Sequence, residues 1–220
     1  MDILKRFNII PRDEKLYEQA FSHSSYCNEH GLNDNYERLE FLGDAVLDLV
    51  VSEYLYKHMD LEEGKMTKLR ASYVCEKALS EYALSLNFND YIKVGKGEES
   101  SGGKYKKAIL ADTFEAFIGA LYLDQGINKV KGFINKVIIP NIENDDVNFF
   151  YDYKSSLQEL VQTRHKAIEY ELVKQVGPAH NKKFTIVVKV DGITYGMGTA
   201  NTKKQAEQEA AKDALDKRAQ

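Results

Sequence analysis

Apolar residues recur at helical spacing through the first 140 or so positions of this 220-residue chain. The periodic segments cover roughly 13–22, 36–58, 65–86, 104–124 and 127–142. Polar or glycine-bearing connections separate them: LEEGKMT at 61–67 opens the third, and SSGGK at 100–104 leads into the fourth. After Pro140 the run NIENDDVNFF changes the regime, and its acidic stretch Asn144 to Asp146 is the natural linker. Beyond it Lys154 to Arg164 is helical, while Glu169 to Gln175 and Phe184 to Val190 alternate as strands. Asp191-Gly192 is a hairpin turn, a third strand runs through Gly198, and Thr202 caps a last helix rich in strong helix formers. The pattern predicts an α-helical domain over 1–143, a linker over 144–151, and a small α+β domain of order α-β-β-β-α over 152–220. There is no internal repeat and no low-complexity tract.

One helical segment departs from the amphipathic rule. YERLEFLGDAVLDLV at 36–50 puts Glu37, Glu40, Asp44 and Asp48 among Leu39, Phe41, Leu42, Val46 and Leu47, with Arg38 as the nearby cation. Glu37, Glu40 and Asp44 stand at i, i+3 and i+7, on one face. AILADTFEAFIGALYLD, at 108–124, repeats the feature with Asp112 and Glu115 at i, i+3. Like charges at this spacing repel, and carboxylates in an apolar setting are costly unless paired. The bland alternative is acids facing solvent from ordinary surface helices. Taken jointly, two helices carrying such acids point to a shared divalent-cation site, with Gly43, Ala45 and Gly119 leaving room for close helix approach. Mg²⁺ takes hard oxygen ligands, a few carboxylates plus water and substrate phosphate. One or two such ions can activate water and stabilise the departing oxygen of a phosphodiester.

Composition narrows the classes. The chain is 43% hydrophobic and 29% charged, as in an ordinary globular protein, and its apolar runs are too short to span a bilayer. MDILKRFNII lacks the layout of a secretory signal, and Cys27 and Cys75 sit outside any metal-ligand spacing. They read as reduced thiols, with a bridge as the alternative, and the expected compartment is the cytoplasm with no membrane partner. The net charge of −4 hides a division: residues 152–220 hold 12 Lys and Arg against 9 Asp and Glu, leaving 18 against 25 before them. A +3 part after a −7 part suggests a polyanion for one and metal ions for the other.

The residues then match further than spacing requires. ERLEFLGDAVLDL resembles the signature segment of the ribonuclease III family, and ILADTFEAFIGALYLD is similar to that family's second catalytic helix. EEGKMTKLRASYV and SSGGKYKKAILADT match the intervening segments. GPAH, FTIVVKV and TKKQAEQEAAKDAL resemble the double-stranded-RNA-binding domain that follows. The likeness covers nearly the whole chain in the expected order. It implies metal ligands Glu40, Asp44, Asp112 and Glu115 for Mg²⁺, with Mn²⁺ as a substitute and no small-molecule cofactor. By the same likeness Asp44 and Glu115 are catalytic, joined by Glu37 and Glu63 at the border of the cleavage site. The role of Glu63 rests on its place just before Gly64, with Glu62 as the alternative. Asp48 is read onto the polar face. His23 in FSHSS matches a family position with a structural or substrate-contact role, and Ser24, Ser25 and Cys27 lack a nucleophile's context. Phe41 is either a core residue or, as the resemblance implies, an aromatic inserted into a second subunit of a homodimer.

Duplex RNA offers shape, phosphates and 2′-hydroxyls rather than a readable major groove. DYKSSLQELVQ supplies Ser155, Gln158 and Glu159, with Gln162 a turn further, and VGPAHNK supplies Pro178, Ala179 and His180. Lys203 and Lys204 open the last helix, where helix end and side chains favour phosphate, although such a pair is commonly just solvated surface. Ala200-Asn201-Thr202 departs from the glycine and serines frequent there in the family; Thr202 still allows a cap. Leu157, Leu160, Val161, Ala206, Ala210, Ala211 and Leu215 read as core. The expectation is a Mg²⁺-dependent, homodimeric endonuclease cutting both strands of double-stranded RNA by water attack. The resemblance implies that it leaves 5′-phosphates and short 3′ overhangs and acts on ribosomal RNA precursors and other structured transcripts. The rivals are a non-catalytic double-stranded-RNA-binding or assembly protein, which the complete acid set argues against, and a phosphohydrolase for small nucleotides, which leaves the basic part without a purpose.

Overall fold

Apolar residues surround the segment 107–125 on every side, and this dictates where it goes. A helix that is hydrophobic all round has to be enclosed. In the computed structural model, which describes residues 1–143, 153–162, 167–177 and 182–217, that helix is the axis of the first of two units, 1–150 and 151–220. The linker expected at 144–151 and the RNA-contact residues Pro178, Ala179 and His180 lie outside the described residues, as does the Gln162 side chain.

The first unit is helical: α1 (Asp2–Arg6), α2 (Glu14–Ala20), α3 (Ser24–His30), α4 (Glu37–His58), α5 (Glu63–Tyr73), α6 (Glu76–Ser85), α7 (Lys96–Ser100), α8 (Lys107–Gln125), α9 (Ile127–Val137) and α10 (Ile139–Glu143). α8 packs against α4, α6, α2 and α9. Its Phe114 and Phe117 join Phe21, Phe88 and Phe133 in one aromatic cluster, with Phe88–Phe117 and Phe117–Phe133 ring centroids 5.2 Å apart. Tilted and edge-on rings at such distances add to the burial of their area.

Two continuous helices expected from periodicity are interrupted. The segment 65–86 divides at Val74 and Cys75, where Cys75 is extended. The Ser72 hydroxyl donates to the Leu69 carbonyl (2.7 Å) and the Cys75 thiol to the Ser72 carbonyl (3.4 Å), the acceptor that the Glu76 amide would use in a continuing helix. The segment 127–142 divides before Pro140, which sits in the first turn of α10, where its missing amide does no harm. α3 was not expected: the 13–22 segment ends at Ala20, and His23 Nδ1 then caps a new helix by accepting from the Ser25 amide. Both cysteines are free, which excludes the bridge, and among the described residues no helix is long and apolar enough to cross a membrane.

The crossing of α4 and α8 is the tightest contact of this unit. A Cβ on Gly43 would lie 1.8 Å from the Glu115 carbonyl oxygen, and one on Gly119 would lie 2.2 Å from that of Leu39. The expected role of these glycines holds, whereas Ala45 is exposed and takes no part.

The second unit follows the expected order: α11 (Tyr153–Gln162), β1 (Ile168–Val176), β2 (Lys183–Val190), β3 (Ile193–Ala200) and α12 (Lys203–Asp216). The strands form an antiparallel sheet in the order β1-β2-β3. Asp191 and Gly192 both have positive φ (50° and 78°), as a two-residue hairpin turn matching strand twist requires. Leu157, Val161, Val188, Val190, Ala210, Ala211 and Ala214 form the core, with Leu160 and Leu215 half-buried at its edge. The Thr202 hydroxyl accepts from the Gln205 amide at 3.2 Å, capping α12 as expected.

Substitution separates the seated glycines from the free ones. Gly43→Ala should destabilise the protein by about 3 kcal/mol, because backbone has to move to admit the methyl group. Gly132→Ala, in α9 with nothing within 4 Å of its Cβ position, should stabilise by about 0.5–1 kcal/mol. Urea unfolding followed by circular dichroism checks both, and equal effects would refute the crossing described here.

Candidate active site

The close approach of α4 and α8 leaves their acids nowhere to spread. Glu40 from α4 and Asp112 and Glu115 from α8 each offer a carboxylate oxygen, and these lie within 4.8 Å of one another. All three side chains are partly buried. Asp44, one turn beyond Glu40, is exposed and stands outside this tightest group, yet its charge raises the pKa of both Glu40 and Glu115. Among the described residues no Lys or Arg forms an ion pair with any of the four.

Burial and mutual repulsion act in the same direction here. Desolvation first, then the charges of Asp112, Glu37 and Asp44, push Glu40 up to about 7. Glu115 is pushed up to about 8 by desolvation, then by Asp44, Glu40, Asp112 and Asp48. Asp112 is raised by desolvation, against which a hydrogen bond from Tyr36 and the proximity of His23 work, while Glu76 adds to the rise. The Tyr36 hydroxyl donates to Asp112 Oδ2 at 3.1 Å. Desolvation and the adjacent Asp112 raise the phenol's own pKa well above its ordinary range, so it remains a donor.

The donor set fits a hard divalent cation: oxygens only, converging, and with no Lys or Arg ion pair among the described residues. Glu37 is exposed at the start of α4, near enough to raise Glu40. Glu63 is exposed at the start of α5, accepts from the Thr67 hydroxyl at 3.1 Å, and is not among the charges that shift Glu40, Asp112 or Glu115. The structure therefore gathers Glu40, Asp112 and Glu115, with Asp44 and Glu37 beside them, and does not bring Glu63 to them within the chain. Asp48 is half-buried, 3.7 Å from the Arg70 guanidinium. Sequence reasoning passed over Tyr36 and Glu76. Tyr36 adjoins the signature run, but pattern alone does not tell a core phenol from one that reaches a carboxylate on another helix.

Phe41 is 82% exposed, which excludes the intramolecular-core reading. Leu49 and Tyr56 are also exposed, at 60% and 78%, and helical spacing puts them on the same side of α4. In the second unit Ser155, Gln158 and Glu159 lie on the exposed face of α11, opposite its buried Leu157 and Val161, and Lys203 and Lys204 are exposed at the start of α12.

The raised carboxyls give metal-free stability a definite slope. Above pH 4.5 the unfolded chain releases protons that native Glu40 and Glu115 still hold, so stability should fall as pH rises towards about 8. Asp124 and Asp213, whose pKa values are lowered, complete their contribution below that window. Melting in EDTA should therefore drop from about pH 5.5 to about pH 8, less steeply in Glu115→Gln, and Mg²⁺ should raise it most at the upper end. A melting temperature that climbed across this range would contradict the cluster's electrostatics.

Comparison with known proteins places both units. Residues 13–142 match the Ribonuclease-III-like family, and residues 153–218 match the double-stranded RNA binding motif. Ribonuclease 3 of Listeria welshimeri is 54% identical over 209 residues, which are 93% of this chain and 91% of that protein. Ribonuclease 3 of Bacillus cereus is 49% identical over 217 residues, 97% of this chain and 89% of its own length. The nuclease domain of ribonuclease III from Campylobacter jejuni, solved with flexibility in a region involved in dimer formation, superposes with a TM-score of 0.59. It is 42% identical, covering 63% of this chain and 95% of that one. The chain belongs to the ribonuclease III family.

Proposed function

We propose how this chain works as a double-stranded-RNA-specific endoribonuclease: the α4–α8 acids hold the divalent ion, and the α-β-β-β-α unit holds the duplex. The observation that carries the reading is the convergence of Glu40, Asp112 and Glu115 oxygens within 4.8 Å, with no Lys or Arg paired to them among the described residues, in a chain that also bears an RNA-binding motif. That acid set also speaks against the non-catalytic rival. When bound, Mg²⁺, or Mn²⁺ in its place, supplies Lewis acidity for water attack on the phosphodiester and for the charge on the leaving oxygen.

The residues divide the remaining work. Glu40, Asp112 and Glu115 with Asp44 hold the ion and set its position against the scissile phosphate. Glu37, at the exposed start of α4, borders the entry of the substrate strand. Glu63 joins the border of the cleavage site in an assembly of two chains. Phe41 anchors that homodimer, continued along α4 by Leu49 and Tyr56. Two equivalent sites then cut the two strands, leaving 5′-phosphates and short 3′ overhangs. Ser155, Gln158 and Glu159 address the wide minor groove, Pro178, Ala179 and His180 the next one, and Lys203 and Lys204 the phosphates between. Substrates are ribosomal RNA precursors and other structured transcripts in the cytoplasm.

Cleavage of a duplex RNA with Mg²⁺, against an EDTA control and free nucleotides, tests the reading directly. Glu115→Gln keeps the side-chain volume and removes a charge that the apo cluster does not want. It should lower duplex cleavage by about 100-fold or more, leave duplex binding unchanged and not lower metal-free stability. Undiminished Mg²⁺-dependent turnover would remove Glu115 from the site.

Phe41→Glu should leave helical content intact and shift the mass towards monomer in light scattering, with cleavage falling alongside. A dimer of unchanged mass would place the interface elsewhere.

A further inference from the structure

Tyr36 does two things at once. Its backbone starts α4: the amide donates to the Ser22 carbonyl at 3.0 Å, and the carbonyl accepts from the Leu39 and Glu40 amides at 2.9 Å each. Its side chain, at 3% exposure, does not cap the helix but crosses to α8 and donates to Asp112 Oδ2 at 3.1 Å. The ring is held from behind. His23 packs edge-on against it with centroids 5.5 Å apart, and His23 Nδ1 accepts from the Ser25 amide (3.1 Å) and lies 2.7 Å from the Ser25 hydroxyl. Ser25 Oγ in turn accepts from the Gly95 amide at 2.9 Å. A donor so constrained holds the carboxylate oxygen it meets in one place.

The chemistry of the donor matters as much as its place. A Lys or Arg beside Asp112 would orient it but would also supply the positive charge the cluster reserves for a cation. A neutral phenol orients without neutralising. We propose that Tyr36 is a positioning residue for Asp112, taking one carboxylate oxygen and leaving the other for the ion shared with Glu40 and Glu115. The proposal rests on the reading of these acids as the metal centre. Outer partners of this kind orient a ligand before the ion arrives, and losing one weakens metal affinity more than it disturbs the fold.

Calorimetric titration of Mn²⁺ into the full-length, RNA-free protein tests this in four forms: wild type, Tyr36→Phe, Asp112→Asn and Glu115→Gln. Tyr36→Phe should weaken Mn²⁺ binding about 10-fold, with duplex binding in EDTA unchanged. The Mg²⁺ concentration for half-maximal cleavage should rise by a similar factor, while the rate at saturating Mg²⁺ largely recovers. Wild-type Mn²⁺ affinity in Tyr36→Phe, with affinity lost in Asp112→Asn and Glu115→Gln, overturns the positioning role and leaves the metal centre standing. Wild-type affinity in all three variants overturns the metal centre and this proposal with it. If Tyr36→Phe alone does not fold, the double variant with Asp112→Asn removes donor and charge together. Its Mn²⁺ affinity should equal that of Asp112→Asn alone, and a further loss would refute the coupling.

Discussion

The contact on which this molecule depends is the crossing of α4 and α8, where two glycines let two backbones meet without side chains between them. The seat is reciprocal: Gly43 faces the Glu115 carbonyl, and Gly119 faces that of Leu39. Glu115 is thus part of the crossing itself, and Glu40 directly follows Leu39. The atoms that define the closest approach belong to, or adjoin, the residues whose carboxylates converge. A wider crossing would relieve the acids of one another and spoil the packing of Leu39, Phe114 and Ala116 around it. Core packing and site geometry are set by one constraint.

That constraint opposes the local electrostatics. Three half-buried carboxylates within 4.8 Å are unfavourable by desolvation and repulsion, which push the pKa values of Glu40 and Glu115 up. The fold tolerates them because α8 is otherwise apolar on all sides and encloses Phe114, Phe117, Ile118 and Leu121 completely. Hydrophobic burial of that extent outweighs a local repulsion, and the repulsion is what a cation relieves. The site is strained in the sense that binding energy is stored as proximity of like charge, with no distortion of backbone needed.

Much of this was legible in the sequence, and the boundary between the legible and the rest is physical. Acids at i, i+3 and i+7 among leucines and valines break the amphipathic rule, so Glu40, Asp112 and Glu115 stand out, and the small residues beside them announce a close crossing. Asp191-Gly192 and Thr202 act locally and were readable for that reason. The interruption at Val74–Cys75 was not, because the extended Cys75 leaves the hydrophobic period on either side of it intact. α3 escaped notice because its cap is a histidine. Tyr36 was passed over because its partner lies 76 positions away, and no local pattern carries a tertiary hydrogen bond.

The second unit repeats the glycine device in another geometry, which shows what it accomplishes. A Cβ on Gly196 or Gly198 would lie 2.3 Å from the carbonyl oxygen of Ala210 or Ala206 respectively. The small side chains of α12, among them Ala206, Ala210 and Ala214, therefore lie directly on β3. A helix brought that close has its start fixed relative to the sheet, and Lys203 and Lys204 are presented from that start. In both units, then, a group of charged residues stands beside a contact in which glycine lets backbones meet. Backbones approach most closely where the sequence supplies nothing to hold them apart, as at Gly43, Gly119, Gly196 and Gly198. On α4 the consequence is a helix that turns Gly43, Val46, Leu47 and Val50 to the core, places Glu40 in the acid cluster with the exposed Asp44 one turn beyond, and leaves Phe41, Leu49 and Tyr56 outward.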